Sequence, residues 1–153
     1  MKVVRVMCSI QEGSLGQKKI KQLESVMKST YQAHFGAQYR LVFIWLNIPY
    51  EQSYLAGELS TASTVQMPVE DGLPPEQRHP FMSEICAKWQ HITGCNKNEI
   101  ILASSDMTHV NAFYDAMDAR FNPALRRKTK RKMLMSLLKG YLRKGYLNTS
   151  VNL

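Results

Sequence analysis

The run Tyr39-Arg40-Leu41-Val42-Phe43-Ile44-Trp45-Leu46-Asn47-Ile48 is apolar everywhere except at Arg40 and Asn47. Ten such residues, rich in β-branched and aromatic types, predict a strand. A strand this apolar at consecutive positions is expected to be buried on both faces, as in a parallel sheet. Upstream, Val3 to Ile10 reads as a second strand, and Glu12-Gly13-Ser14 as a turn. Between them, Ile20, Leu23, Met27, Tyr31 and His34 recur at steps of three or four, while Lys18, Lys19, Lys21 and Lys28 fall off that stripe. This spacing predicts an amphipathic helix over 16–34, with Gly36 at the position of a left-handed cap.

The same order returns downstream. Thr64 to Met67 is a short strand, and residues 69–77 form a Pro/Gly loop. A helix is expected to start near Pro80, since proline suits the first helical position. Its stripe is Met82, Ile85, Cys86, Trp89 and Ile92, and Gly94 ends it. Glu99 to Ser104 is again a strand. Gly36 and Gly94 hold matching places in the two halves, which reads as an internal β-α-β duplication. Right-handed crossovers put both helices on one face of a four-stranded sheet, giving a two-layer α/β fold. The other face is expected to be bare and covered by further subunits. Ser105-Asp106 is placed to cap a short helix over 107–117.

Charge divides the chain at about residue 120. Residues 1–119 hold ten Lys/Arg against twelve Asp/Glu, whereas residues 120–153 hold ten Lys/Arg and no acid. The body (1–119) and a basic helical tail (120–153) are therefore read as separate units. Pro123 opens the tail helix, which runs to about Lys144, and residues 148–153 are expected to fray. Leu134, Leu137, Leu138, Tyr141 and Leu142 form its apolar stripe. Arg126, Arg127, Lys128, Lys130, Arg131 and Lys132 form an anion-binding candidate. Three readings of the tail stand: a solvated helix packing its leucines on the body or a neighbour, a nucleic-acid site, and an anionic membrane surface. The body lacks a Lys/Arg-Gly-Phe stacking motif, which disfavours an RNA-recognition domain.

No segment has the roughly 18 uninterrupted apolar residues of a membrane span. Met1-Lys2-Val3-Val4-Arg5 is too interrupted for a secretory signal, so a cytoplasmic location is expected. Cys8, Cys86 and Cys95 are odd in number and share no Cys-x-x-Cys spacing. Buried free thiols are expected, with no metal site and no cofactor. His34 and His91 end their helices, where the dipole favours a proton.

Several motifs in order resemble the tautomerase superfamily, most closely its cis-3-chloroacrylic acid dehalogenase-like group, over about residues 2–118. They are the strand at the N-terminus, Glu12-Gly13-x-Leu15, the helix ending at Gly36, the Tyr54-Leu55-Ala56-Gly57-Glu58 loop, and Trp89-x-x-Ile92-Thr93-Gly94. The resemblance implies a homotrimer whose sheets form a central barrel. It also implies an N-terminal proline that moves protons from an apolar pocket. Here Lys2 follows Met1, so the Met1 amine is expected at the terminus, displaced by one residue. The group's helix histidine falls on Tyr31 and its strand tyrosine on Ala103. Its carboxylate-binding arginines fall in residues 69–75, which carry Glu70 and Asp71 instead. Its water-activating acid falls near Tyr114 or Asp115.

The candidate catalytic groups are therefore the Met1 amine, Lys2, Tyr31, Tyr114 and Asp115. The candidate ligand-binding groups are Lys2, Tyr31 and Arg40, bordering a small pocket at the N-terminus. Each has a plainer reading: an exposed strand-end lysine, a core tyrosine, a strand-end arginine. Proline-based tautomerase or dehalogenase activity is expected to be absent, with altered isomerase- or lyase-like chemistry as one outcome. The alternative is a binding protein that presents the basic helix to nucleic acid or another anionic partner.

Overall fold

The structure, a computed structural model, describes residues 2–120 and 123–150, the side chains of 117, 118 and 124 excepted. The chain runs β1 (Lys2–Gln11), α1 (Gln17–Phe35), β2 (Tyr39–Ile48), the short pair β3 (Tyr54–Leu55) and β4 (Glu58–Leu59), and β5 (Ser63–Gln66). It continues through α2 (Pro75–Thr93), a 3-10 turn (Lys97–Glu99), β6 (Ile100–Ala103), α3 (Met107–Ala119), α4 (Pro123–Lys144) and β7 (Asn148–Ser150).

One sheet has the order β6-β5-β1-β2-β7. β1 and β2 are parallel, with Val4 opposite Leu41, and α1 connects them. β5 and β6 are likewise parallel, with Val65 opposite Leu102, and α2 connects them. The two halves meet where β1 and β5 run antiparallel, with Cys8 opposite Val65. The duplication read in the sequence is thus present as two β-α-β units.

The inner face of the sheet carries Val4, Val6, Cys8 and Ile10 from β1 and Tyr39, Leu41, Phe43 and Trp45 from β2, all buried. Ile20, Leu23, Met27 and Tyr31 of α1 and Phe81, Ile85 and Trp89 of α2 pack on it. Each such side chain contributes roughly 1.5–3 kcal/mol on burial. Trp45 and Trp89 stack at 6.1 Å and 25°, joining the two halves through the core.

Several expectations are corrected. β2 is buried on alternate residues only: Val42, Ile44 and Leu46 are half-buried, because no helix layer fully covers the second face within one chain. That face is not bare either. The Tyr114 hydroxyl of α3 donates to Met7 Sδ, which places α3 against it. α2 begins at Pro75, with Pro80 inside the helix and the missed Phe81 on its buried face. Pro74 and Pro75 already supply the extended-then-helical dihedrals of a helix start. Arg78 then fastens the first turn, donating to Leu73 O (2.7 Å) and Ser104 O (3.0 Å).

Gly94 is a left-handed cap (φ 79°, ψ 12°), but Gly36 is not: its φ of 103° comes with ψ 156°. Asp106 does not cap α3 with its carboxylate, which instead pairs with Arg78. Asp71, from the preceding loop, takes the Thr108 N–H (3.0 Å) and hydroxyl. Among the cysteines only Cys8 is buried; Cys86 and Cys95 are half-buried, and all three are free thiols.

The sheet has five strands rather than four. Residues 148–150, expected to fray, pair in parallel with β2, Trp45 opposite Asn148. Residues 151–153 lie outside the described residues. After α4 the chain turns at Gly145 (φ 74°), and Ser136 Oγ meets Thr149 Oγ1 at 2.8 Å. Of the leucines in the α4 stripe, Leu134, Leu138 and Leu142 are 65%, 50% and 77% exposed, while Leu137 is half-buried. Among the described residues no helix is long and apolar enough to cross a membrane.

Candidate functional site

The head of β1 is where the sequence placed a reactive amine. Met1 lies outside the described residues. Lys2 faces the helix side of the sheet, its ammonium 5.8 Å from the centroid of the Tyr39 ring. It forms an ion pair with Glu70. That hydrogen bond and charge raise the Lys2 pKa above its ordinary value, and Lys2 in turn holds Glu70 below the usual carboxylate range. An amine so paired is an ammonium at neutral pH and has no lone pair for base or nucleophile chemistry.

Tyr31 is a core residue. Its ring meets Phe35, Tyr39 and Phe81 edge-on at 4.9, 5.4 and 5.6 Å. Its hydroxyl donates to Pro68 O at 2.8 Å, and burial pushes its pKa up. His34, beyond Tyr31 on α1, contacts Glu84 of α2 through Nε2 at 2.7 Å, so it links two helices rather than only ending one.

The opposite face of the sheet carries an opening. A cleft of ≈ 200 Å³ is lined by Val3, Arg5, Pro68, Met107, Val110 and Tyr114, among others. Strand alternation explains the set: Val3 and Arg5 point away from the core that holds Val4 and Val6, and α3 crosses above them. Val3, Pro68, Met107 and Val110 supply apolar walls, the guanidinium of Arg5 brings positive charge, and Tyr114 brings a hydroxyl. Burial raises the Tyr114 pKa and Arg5 opposes the rise. This combination suits a small ligand carrying a carboxylate or another oxyanion. Arg40 pairs with Val3 in the parallel register and shares its face, so it stands beside the cleft and across the sheet from Lys2 and Tyr39.

The fold therefore brings together Arg5, Tyr114 and, beside them, Arg40. It separates them from Lys2 and Tyr31, which lie on the helix side. Asp115 is exposed on α3, and Ala103 ends β6. The basic residues Arg127, Lys128, Arg131 and Lys132 are exposed along α4, as are Arg126 and Lys130. Arg5 was missed by sequence reasoning, although the period-2 pattern of Val4, Val6 and Cys8 assigns it to the outer face. Among the described residues no group of three His, Cys, Asp or Glu is placed to hold a metal.

This is the tautomerase-superfamily fold. The chain is similar to native Ps01740, with 21% identity over 67% of this chain and 93% of that one, at a TM-score of 0.59. It is similar to N1, a member of the cis-3-chloroacrylic acid dehalogenase (cis-CaaD) family, with 11% identity over 83% of this chain and 99% of that one, at 0.59. It is also similar to a fused 4-OT that is a symmetric trimer, with 13% identity over 67% and 85% of the two chains, at 0.57. At such identities the likeness is one of fold. No family model and no curated protein sequence matches the chain.

Proposed function

We propose that this protein uses the tautomerase fold to bind a small oxyanion-bearing molecule, without the proline-based chemistry of the dehalogenase-like group. The observation that carries this reading is the Lys2–Glu70 ion pair at the head of β1. Proline occurs nowhere in β1, and the strand's first amine is tied up as a cation. Glu70 and Asp71 occupy the loop where the resemblance calls for arginines, so the positive charge available to a ligand lies on the other face, at Arg5 and Arg40. The ligand's oxyanion pairs with Arg5, the Tyr114 hydroxyl donates to it, and Arg40 closes the rim. The reading predicts no dehalogenation of 3-chloroacrylate and little or no tautomerisation of phenylenolpyruvate.

The assembly that fits is a homotrimer. Val3 is 52% and Ile101 50% exposed on the outer face, and the half-buried Val42, Ile44 and Leu46 extend the apolar surface that neighbouring copies cover. Three free thiols accord with a reducing, cytoplasmic location. The test is calorimetric titration of small carboxylates and phosphates into the full chain beside R5Q and Y114F. Loss of binding in R5Q by about tenfold or more supports the reading. Turnover that disappears when the N-terminal amine is acetylated contradicts it and returns the Met1 amine to the catalytic role. Borohydride trapping of a carbonyl compound on Lys2 restores that residue as a Schiff-base former and contradicts the reading as well.

A second reading rests on α4. The side chains of residues 125–135 are all exposed and include the basic cluster 126–132, a surface fit for an anionic polymer such as nucleic acid. Replacing the six cations by glutamine abolishes salt-sensitive DNA or RNA binding if this reading holds, and leaves it unchanged otherwise.

A further inference from the structure

At the far end of β1 from the cleft, a second groove of ≈ 260 Å³ opens between the N-terminus of α1 and the end of α4. Gln17, Asn47, Arg143 and Lys144 supply its polar lining. Three features converge there. First, α1 is uncapped: Gly16 offers no side chain, and its first turn holds no acid. The Ile20 N–H is the first to close, on Gly16 O at 3.1 Å. The N–H groups of residues 17, 18 and 19 therefore lack a main-chain partner among the described residues. Second, Asn47 is only 7% exposed, yet its amide borders the groove and makes no hydrogen bond to a side chain or the main chain among the described residues. Asn47 is not among the described residues whose unpaired polar atoms are sealed from solvent, so its amide opens on the groove and is free to bond a ligand there. Third, α4 brings Arg143 and Lys144 to the positive end of α1, where Lys18 and Lys19 already stand.

A cation at the end of α4 is favoured by that helix's own dipole, but here it adds positive charge to positive charge. Lys19 is diverted to Thr93 O at 3.1 Å, and the exposed Glu12 in the adjoining turn does not line the groove. The uncapped helix, the unpaired amide and the cations are the recurring parts of an anion site. We propose that this groove binds a phosphate dianion, free or as the terminal group of a small phosphate monoester. Main-chain N–H groups of α1 and the Asn47 amide donate to its oxygens, and Arg143 and Lys144 balance its charge. The proposal uses none of the residues of the cleft beside Tyr114, so either can fail without the other.

The test is calorimetric titration of inorganic phosphate into the full chain, against chloride at matched ionic strength, with phenyl phosphate as a second probe. A saturable isotherm is expected, weakened about tenfold or more by R143E and by N47D and unchanged by K28E, on the opposite half of α1. Phosphate tighter than phenyl phosphate assigns a free-ion site, and the reverse order a monoester site. A response that tracks ionic strength alone, or equal binding by wild type and R143E, overturns the proposal.

Discussion

Lys2 stands at a strand end with its side chain 62% exposed, where an amine ordinarily keeps its usual titration. Glu70 changes this by accepting its proton in a hydrogen bond. E70Q removes the charge and lowers the Lys2 pKa toward 10.5, which a 13C-lysine titration by NMR measures. An unmoved Lys2 would separate the two groups in solution. Tyr31 behaves differently, since its hydroxyl is spent on Pro68 O inside an aromatic cluster. Y31F is expected to cost about 1 kcal/mol in chemical denaturation while ligand binding in the cleft stays unchanged. Tyr31 was legible as a stripe residue from its spacing alone. Its missing partner in the sequence was Pro68, 37 residues away, which no local pattern reveals. Arg40 and Lys2 looked like neighbours at one mouth. The pleat sets adjacent register positions on opposite faces, and so divides them.

Elements with a single strong period were legible, and those governed by distant partners were not. β2 was read to the residue from its apolar run, and α1 within a residue or so from its stripe. The start of α2 was misplaced because Pro80 looks like a first turn. The real first turn depends on Arg78 reaching the carbonyls of Leu73 and Ser104 and the carboxylate of Asp106. R78A is expected to lower the denaturant midpoint more than D106N does, since it also leaves both carbonyls without that donor. β7 was unreadable because three polar residues, Asn148, Thr149 and Ser150, become a strand only through the edge of β2. Gly140 makes room for it: a Cβ there would come within 2.1 Å of Asn148 O. G140A is therefore expected to displace β7 despite alanine's better helix propensity, seen as faster hydrogen exchange of the 148–150 amides. Unchanged protection would contradict the packing described.

Among the described residues, four carboxylates are held below their ordinary range by named donors: Glu70 by Lys2, Asp71 by Thr108, Glu84 by Lys88 and Asp106 by Arg78. Each is more acidic folded than unfolded, so its stabilisation is complete above the unfolded value and fades as pH falls through the folded one. The denaturant midpoint is expected to hold steady near neutrality and to fall below about pH 4.5, less steeply in D106N. The outer face of the sheet and the apolar side chains of α4 await cover in a single chain, and sedimentation is expected to find a trimer at micromolar concentration. A stable monomer there would contradict the trimer and leave that outer face without its cover. The central proposal is that this chain uses the fold without amine chemistry at the head of β1. Its most direct measurement is the turnover of phenylenolpyruvate by the full chain across pH 6–9, with and without acetylation of its amines. The account predicts no rate above buffer in either sample; a rate that rises with deprotonation and vanishes on acetylation would contradict it.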